Sequence, residues 1–208
     1  MKYQLIIFDF DGTLADSFPW FRRVLNGVAD EFGFRRVAPG EAAALRGLDA
    51  REILRRLAVP RWKLPMIVRH MRTLKTRDRD AIALFPGVDR LLHELTQRGL
   101  VLALVSSDAE ANVRHTLGAA NSERIAHYAC GASLFGKRAK FVSVLRRAQM
   151  TPPDAIAIGD EIRDAQAARR AGIAFGAVSW GYTDLAALCS IAPDEVFAGM
   201  DDILAVLA

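Results

Sequence analysis

Four short apolar runs, at residues 5–8, 100–105, 155–158 and 173–178, set the frame for what this chain can become. They show no alternation of apolar and polar positions, so each reads as a strand covered on both faces, as in a parallel sheet. Each run stops on polar or glycine residues, namely Asp9, Ser106, Gly159-Asp160 and Ser179. Between the runs lie amphipathic segments that end at helix-stopping glycines: 88–97 before Gly99, 109–117 before Gly118, and 161–171 before Gly172. Strands alternating with helices predict an α/β fold, a doubly wound, Rossmann-like parallel sheet.

Residues 16–84 break the alternation. Phe18, Phe21, Val24, Leu25, Val28 and Phe32 mark one face of a helix, and Asp49-Ala50-Arg51-Glu52 forms a capping box ahead of Ile53, Leu54 and Leu57. Met66, Ile67, His70, Met71 and Leu74 mark a third helix, after which Phe85-Pro86-Gly87 punctuates the return to the sheet. The expected division is a catalytic core of residues 1–15 and 85–208, with a small α-helical cap, 16–84, inserted after the first strand.

That cap holds 15 basic and 8 acidic side chains, net +7, in a chain whose total is only +4. The concentration points to an anionic small molecule. A nucleic-acid surface would need denser charge with interleaved aromatics, so no such partner is expected. Neither is a membrane partner: no apolar stretch reaches 18 residues, and Met1-Lys2-Tyr3-Gln4 leads into too few apolar residues for a signal peptide. Cys130 and Cys189 lie far apart, with no CxxC pattern. This fits free thiols in a reducing compartment and a cytoplasmic protein, monomeric or a small homo-oligomer.

In open α/β sheets, ligands bind beyond the carboxyl ends of the strands. There the sequence places Asp9, Asp11, Thr13, Ser106, Asp160 and Asp164. Two carboxylates two residues apart need a cation or a shared proton, and oxygen donors without a His or Cys cluster select a hard ion such as Mg2+.

Four ordered segments carry a family resemblance: Asp9-Phe10-Asp11-Gly12-Thr13-Leu14, Val105-Ser106, Lys137, and Gly159-Asp160-Glu161-Ile162-Arg163-Asp164. The set resembles the four motifs of the haloacid dehalogenase superfamily. The insertion after the first motif, and Val178-Ser179-Trp180-Gly181-Tyr182, resemble the phosphoglycolate phosphatase and β-phosphoglucomutase branch. The resemblance implies a Mg2+-dependent phosphatase acting on a small phosphorylated metabolite through an aspartyl-phosphate on Asp9. Asp11 would be the acid and base, a role that asks for a pKa above that of an ordinary Asp. Asp9, the main-chain carbonyl of Asp11, and Asp160 would hold the metal, with Asp164 in an outer shell. Ser106 and Lys137 would hold the phosphoryl oxygens. Gly12 would allow a sharp turn, and Thr13 would hydrogen-bond back to Asp9.

Several alternatives stay open at this stage. Ser107 can replace Ser106, and Lys140 can replace Lys137, because the sequence reads Lys137-Arg138-Ala139-Lys140 where the branch often has Lys-Pro-x-Pro. Arg46, in Arg46-Gly47-Leu48, is either a contact for a substrate carboxylate or a solvated surface arginine. Asp164 has a helix-surface reading as well. Trp180 and Tyr182 read as packing residues, and the four histidines form no constellation. The rival functions are a phosphomutase and a non-catalytic module that binds a phosphorylated ligand or protein.

Overall fold

The computed structural model describes residues 2–131 and 136–207; Met1, Ala208 and residues 132–135 of the expected core lie outside the described residues. In chain order the elements are β1 (Leu5–Phe8), α1 (Phe18–Phe32), α2 (Glu41–Leu45), α3 (Ala50–Arg56), α4 (Leu64–Arg77) and α5 (Val88–Gln97). There follow β2 (Val101–Val105), α6 (Glu110–Arg124), β3 (His127–Ala129), α7 (Lys137–Ala148), β4 (Ala155–Gly159), α8 (Ile162–Ala171), β5 (Ala174–Val178), α9 (Leu185–Cys189), β6 (Glu195–Phe197) and α10 (Met200–Val206).

The six strands form one parallel sheet in the order β3-β2-β1-β4-β5-β6. This is the doubly wound order, and its crevice opens where the chain reverses direction, between β1 and β4. The period of two along a strand puts alternate side chains on opposite faces. Ile6 and Phe8 join one core, with Leu91, Leu95 and Val113. Leu5 and Ile7 join the other, with Phe141, Val144 and Ala168. Burial on both faces explains the uninterrupted apolar runs.

The sheet has six strands where the apolar runs predict four. The two extra strands, β3 and β6, are three-residue edge strands containing His127 and Glu195, too short and too polar to stand out. As the sequence predicts, Gly118 ends a helix: its φ 73° and ψ 170° are non-helical, and a second helical stretch follows directly to Arg124 within the range given as α6. Asn121 Nδ2 donates to the Leu117 carbonyl across the break (3.1 Å), supplying a bond the kink would otherwise remove.

Between β1 and α5 the chain is helical. Asp49 caps α3 by accepting from the Glu52 N–H (2.9 Å), and Leu45, Leu57 and Val59 bury a small core of this segment's own. The chain leaves and re-enters the sheet side by side. Ala15 bridges Leu84 in antiparallel fashion and bridges Asp11 in parallel fashion, while the Phe85 N–H donates to Leu14 O (2.9 Å).

Candidate active site

The carboxyl end of β1 runs into a tight loop. The Asp9 N–H donates to Ile158 O on β4 (2.8 Å), and the Phe10 carbonyl accepts from the N–H groups of Thr13, Leu14 and Ala15. Gly12 turns the loop at φ +78°, and a Cβ there would stand 2.3 Å from Asp160 Oδ2. Gly12→Ala should therefore destabilise the fold by about 3 kcal/mol, read from thermal denaturation. An unchanged midpoint would show that the loop can back away from Asp160.

The loop brings Asp9 against Asp160, at the end of β4, and Asp164, in the first turn of α8. The carboxylate oxygens of these three buried side chains lie within 4.8 Å of one another. Lys137, the first residue of α7, is the cation among them: its Nζ lies 2.8 Å from Asp9 Oδ1 and 2.6 Å from Asp164 Oδ1. Asp160 is held from two sides, by Thr13 Oγ1 (3.0 Å) and the Tyr182 N–H (2.7 Å). Thr13 thus bonds to Asp160 and not to Asp9, because Gly12 turns the loop back over β4.

Three carboxylates against one ammonium crowd like charge in a buried site. Burial pushes the Asp9 carboxyl up to about 6, with Asp164 adding to the rise against the pull of Lys137. Burial and the nearby Glu161 and Asp9 raise Asp160 well above the usual carboxylate range. Asp164 Oδ2 is buried with no hydrogen-bond partner. An electron-rich, all-oxygen pocket with an orphaned acceptor fits a hard divalent cation.

Asp11 points the other way, toward the helical segment, and its carboxylate is not part of that triad. Lys75 of α4 places its Nζ 2.5 Å from Asp11 Oδ1 and 2.7 Å from Asp108 Oδ2. Burial alone would raise Asp11, but the charge and hydrogen bond of Lys75 outweigh it, and the carboxyl lies below its ordinary value. The elevated pKa expected of an acid at this position is absent here, for that reason.

The remaining candidates separate by environment. Ser106, Ser107, Lys137 and Lys140 line a small cavity of about 20 Å3 with Asp9, Asp11 and Arg163. Within it the Ser106 hydroxyl accepts from the Asp108 N–H (3.0 Å). Lys140 is turned onto main-chain carbonyls, donating to Ser106 O (2.5 Å) and Gly131 O (2.7 Å), so Lys137 is the lysine at the carboxylates. Arg46 is not a solvated surface residue; its guanidinium is engaged by main-chain carbonyls. It donates to Tyr182 O (3.0 Å) and Gly181 O (2.7 Å), tying the helical segment to the loop after β5.

Tyr182 does more than pack. Its N–H holds Asp160, and its hydroxyl lies 2.9 Å from Ser17 Oγ. Trp180 Nε1 donates to Thr13 O (3.1 Å), bracing the same loop. Lys75, Asp108 and Arg163 were not foreseen. The signal for Lys75 was present: it falls at the four-residue spacing of Ile67 and Met71, in phase with the apolar stripe of α4, where a solvated lysine does not belong.

The sequence profile of the haloacid dehalogenase-like hydrolases matches residues 6–178. The chain belongs to this family. Among curated relatives, the phosphoglycolate phosphatase of Synechococcus elongatus is 32% identical over 97% of this chain and 95% of its own length. The tyrosine-protein kinase PtkA of Mycobacterium tuberculosis is also 32% identical, over 86% of this chain and 63% of its own. Among solved structures, a haloacid dehalogenase-like family hydrolase from Streptococcus pneumoniae superposes with a TM-score of 0.82 at 23% identity, over 100% of this chain and 99% of that one. Family membership agrees with the parallel α/β sheet. Among the described residues, no helix is long and apolar enough to cross a membrane.

Proposed function

We propose that this chain is a Mg2+-dependent phosphatase that hydrolyses a small phosphomonoester through an aspartyl-phosphate on Asp9. The observation that carries the reading is the buried Asp9, Asp160 and Asp164 triad, with Lys137 at its edge and a cavity of about 20 Å3 beside it. The phosphoglycolate phosphatase relative, which aligns along nearly the whole chain, supports a small phosphorylated metabolite as substrate. The two free cysteines suit a reducing, cytoplasmic setting.

In this mechanism Ser106, Ser107 and Lys137 receive the phosphoryl oxygens, and Asp9 Oδ attacks phosphorus. The new O–P bond forms as the ester P–O bond breaks, and the leaving oxygen takes a proton from Asp11. Asp11, now a carboxylate, takes a proton from water, whose oxygen attacks the phosphorus and releases inorganic phosphate and Asp9. Mg2+, held by Asp9, Asp160 and the Asp11 carbonyl with Asp164 in an outer shell, would neutralise charge on the carboxylates and the phosphoryl oxygens. The pair with Lys75 keeps Asp11 ionised, the form that the second step needs. The first step requires that pair to loosen, which assigns to residues 16–84 the part of a movable cap.

A phosphate-release screen over phosphorylated metabolites with Mg2+ tests the reading. Phosphate should appear and chelator should stop it. Transfer to a second acceptor without free phosphate would replace hydrolysis by a mutase or kinase reaction.

Metal binding also has a predictable pH dependence. An ion can bind here only after the carboxyls of Asp9, raised to about 6, and Asp160, raised well above the usual carboxylate range, lose their protons. Affinity for Mg2+ should therefore fall by about tenfold or more per pH unit below about 6, and binding at pH 5.5 should release at least one proton. Calorimetry in buffers of different ionisation enthalpy reads both. Affinity that stays flat from pH 7 to pH 5 would remove Asp9 from the metal site.

A further inference from the structure

A chamber of about 780 Å3 lies beneath the helical segment and meets the small cavity at a neck. Asp11, Ser107 and Arg163 line both spaces. Whatever is esterified to a phosphoryl group at Asp9 therefore emerges between these three residues into the chamber.

The chamber wall combines cations with hydrocarbon. The cations near the neck already have protein partners. Lys75 pairs with Asp11 and Asp108, Arg72 donates to Ser107 O (2.9 Å), and Arg163 pairs with Glu161. Arg46 is bound to the two carbonyls after β5. Two further arginines on the wall are engaged as well, Arg36 with Asp30 and Arg22 over the Phe18 ring. Much of the remaining wall is apolar: Phe21 and Leu25 from α1, Ile53 and Leu54 from α3, Ile67 and Met71 from α4.

Size points the same way as polarity. At about 30 Å3 per water-sized unit, a glycolate leaving group takes roughly 150 Å3, a small part of the chamber. A substrate that short would end at the neck and leave most of the apolar wall uncovered. The chamber lies instead in the size range of pockets that enclose larger, mainly apolar ligands.

We propose that this chamber is the leaving-group site, and that the preferred substrate is a phosphomonoester of an alcohol bulkier than glycolate, with a predominantly apolar body. The proposal rests on the reading of the small cavity as the phosphoryl site. Recognition would be divided: charge at the neck for the phosphate, and burial of hydrocarbon beneath the helices for the rest.

The test compares kcat/KM for 2-phenylethyl phosphate, ethyl phosphate and 2-phosphoglycolate with Mg2+ present. The phenylethyl ester should lead both others by at least tenfold, mainly through KM. Equal or better turnover of 2-phosphoglycolate would overturn the proposal and leave the phosphatase reading intact. Ile67→Trp, which fills the chamber from its wall, should lower the phenylethyl-to-ethyl ratio at least tenfold, and an unchanged ratio would also overturn it. Should no ester be turned over, the phosphatase reading falls and calorimetry on the wild-type protein decides the chamber separately. Binding of 2-phenylethyl phosphate at least tenfold tighter than ethyl phosphate supports it, and equal binding refutes it.

Discussion

Replacing Asp9 by Asn is expected to lower phosphate release by about 10^4-fold or more, the scale of losing a covalent nucleophile, while the metal-free protein becomes no less stable. The two effects diverge for one electrostatic reason. Burial and Asp164 raise the Asp9 carboxyl to about 6, against the pull of Lys137. A carboxyl whose folded value exceeds its unfolded value weakens the fold as pH climbs from about 4 to about 6, because the native state holds the extra proton in that window. Asn carries no such charge, so at pH 7 the variant should gain on the order of 2 kcal/mol or less in the absence of metal. Activity and melting temperature, measured on the same preparation with chelator and then with Mg2+, check both halves. Lost activity together with a lowered metal-free melting temperature would make Asp9 a structural residue and remove the nucleophile.

The second large effect is expected at Lys75→Met. This change keeps the apolar stem but leaves Asp11 and Asp108 facing each other without their cation. Breaking a buried ion pair from one side costs about 3 kcal/mol or more, and here two carboxylates share the lost partner. The sign with pH follows from Asp11. With Lys75 in place its folded pKa is depressed, so the pair contributes stability above the unfolded value and loses it as pH falls through the folded one. In the variant only the Ser17 hydrogen bond and the charge of Arg163 are left to oppose burial, so the depression of Asp11 shrinks or is lost. The difference in stability between wild type and variant should therefore be large at pH 7 and shrink toward pH 4, as urea titrations at the two values would show. A difference independent of pH would mean that Lys75 acts through packing alone.

Much of this was legible because the physics is local. Leu5–Phe8 reads as a buried strand from composition, and Asp9, Asp160 and Asp164 follow from where strands end. Lys137 was legible only as one of two lysines a helical turn apart. The choice between them is made by what lies across the sheet from each, carboxylates for one and main-chain carbonyls for the other. Asp11 was misjudged for a related reason. Its chemistry was read from its own segment, whereas its charge state is set by a lysine 64 residues away. Part of the positive charge of residues 16–84, which the sequence ties to an anionic small molecule, is engaged by the core through Lys75, Arg72 and Arg46.

The double bridge at Ala15 ties the helical segment to the chemistry through backbone alone. This residue is stitched to Leu84, where the insertion returns, and equally to Asp11. On the proposed mechanism, a swing of the helices about that crossing would also be a torque on Asp11, in the same movement that would draw Lys75 away from it. Access for the ester and the proton inventory of the site would then be geared together, with no signal needing to cross the sheet.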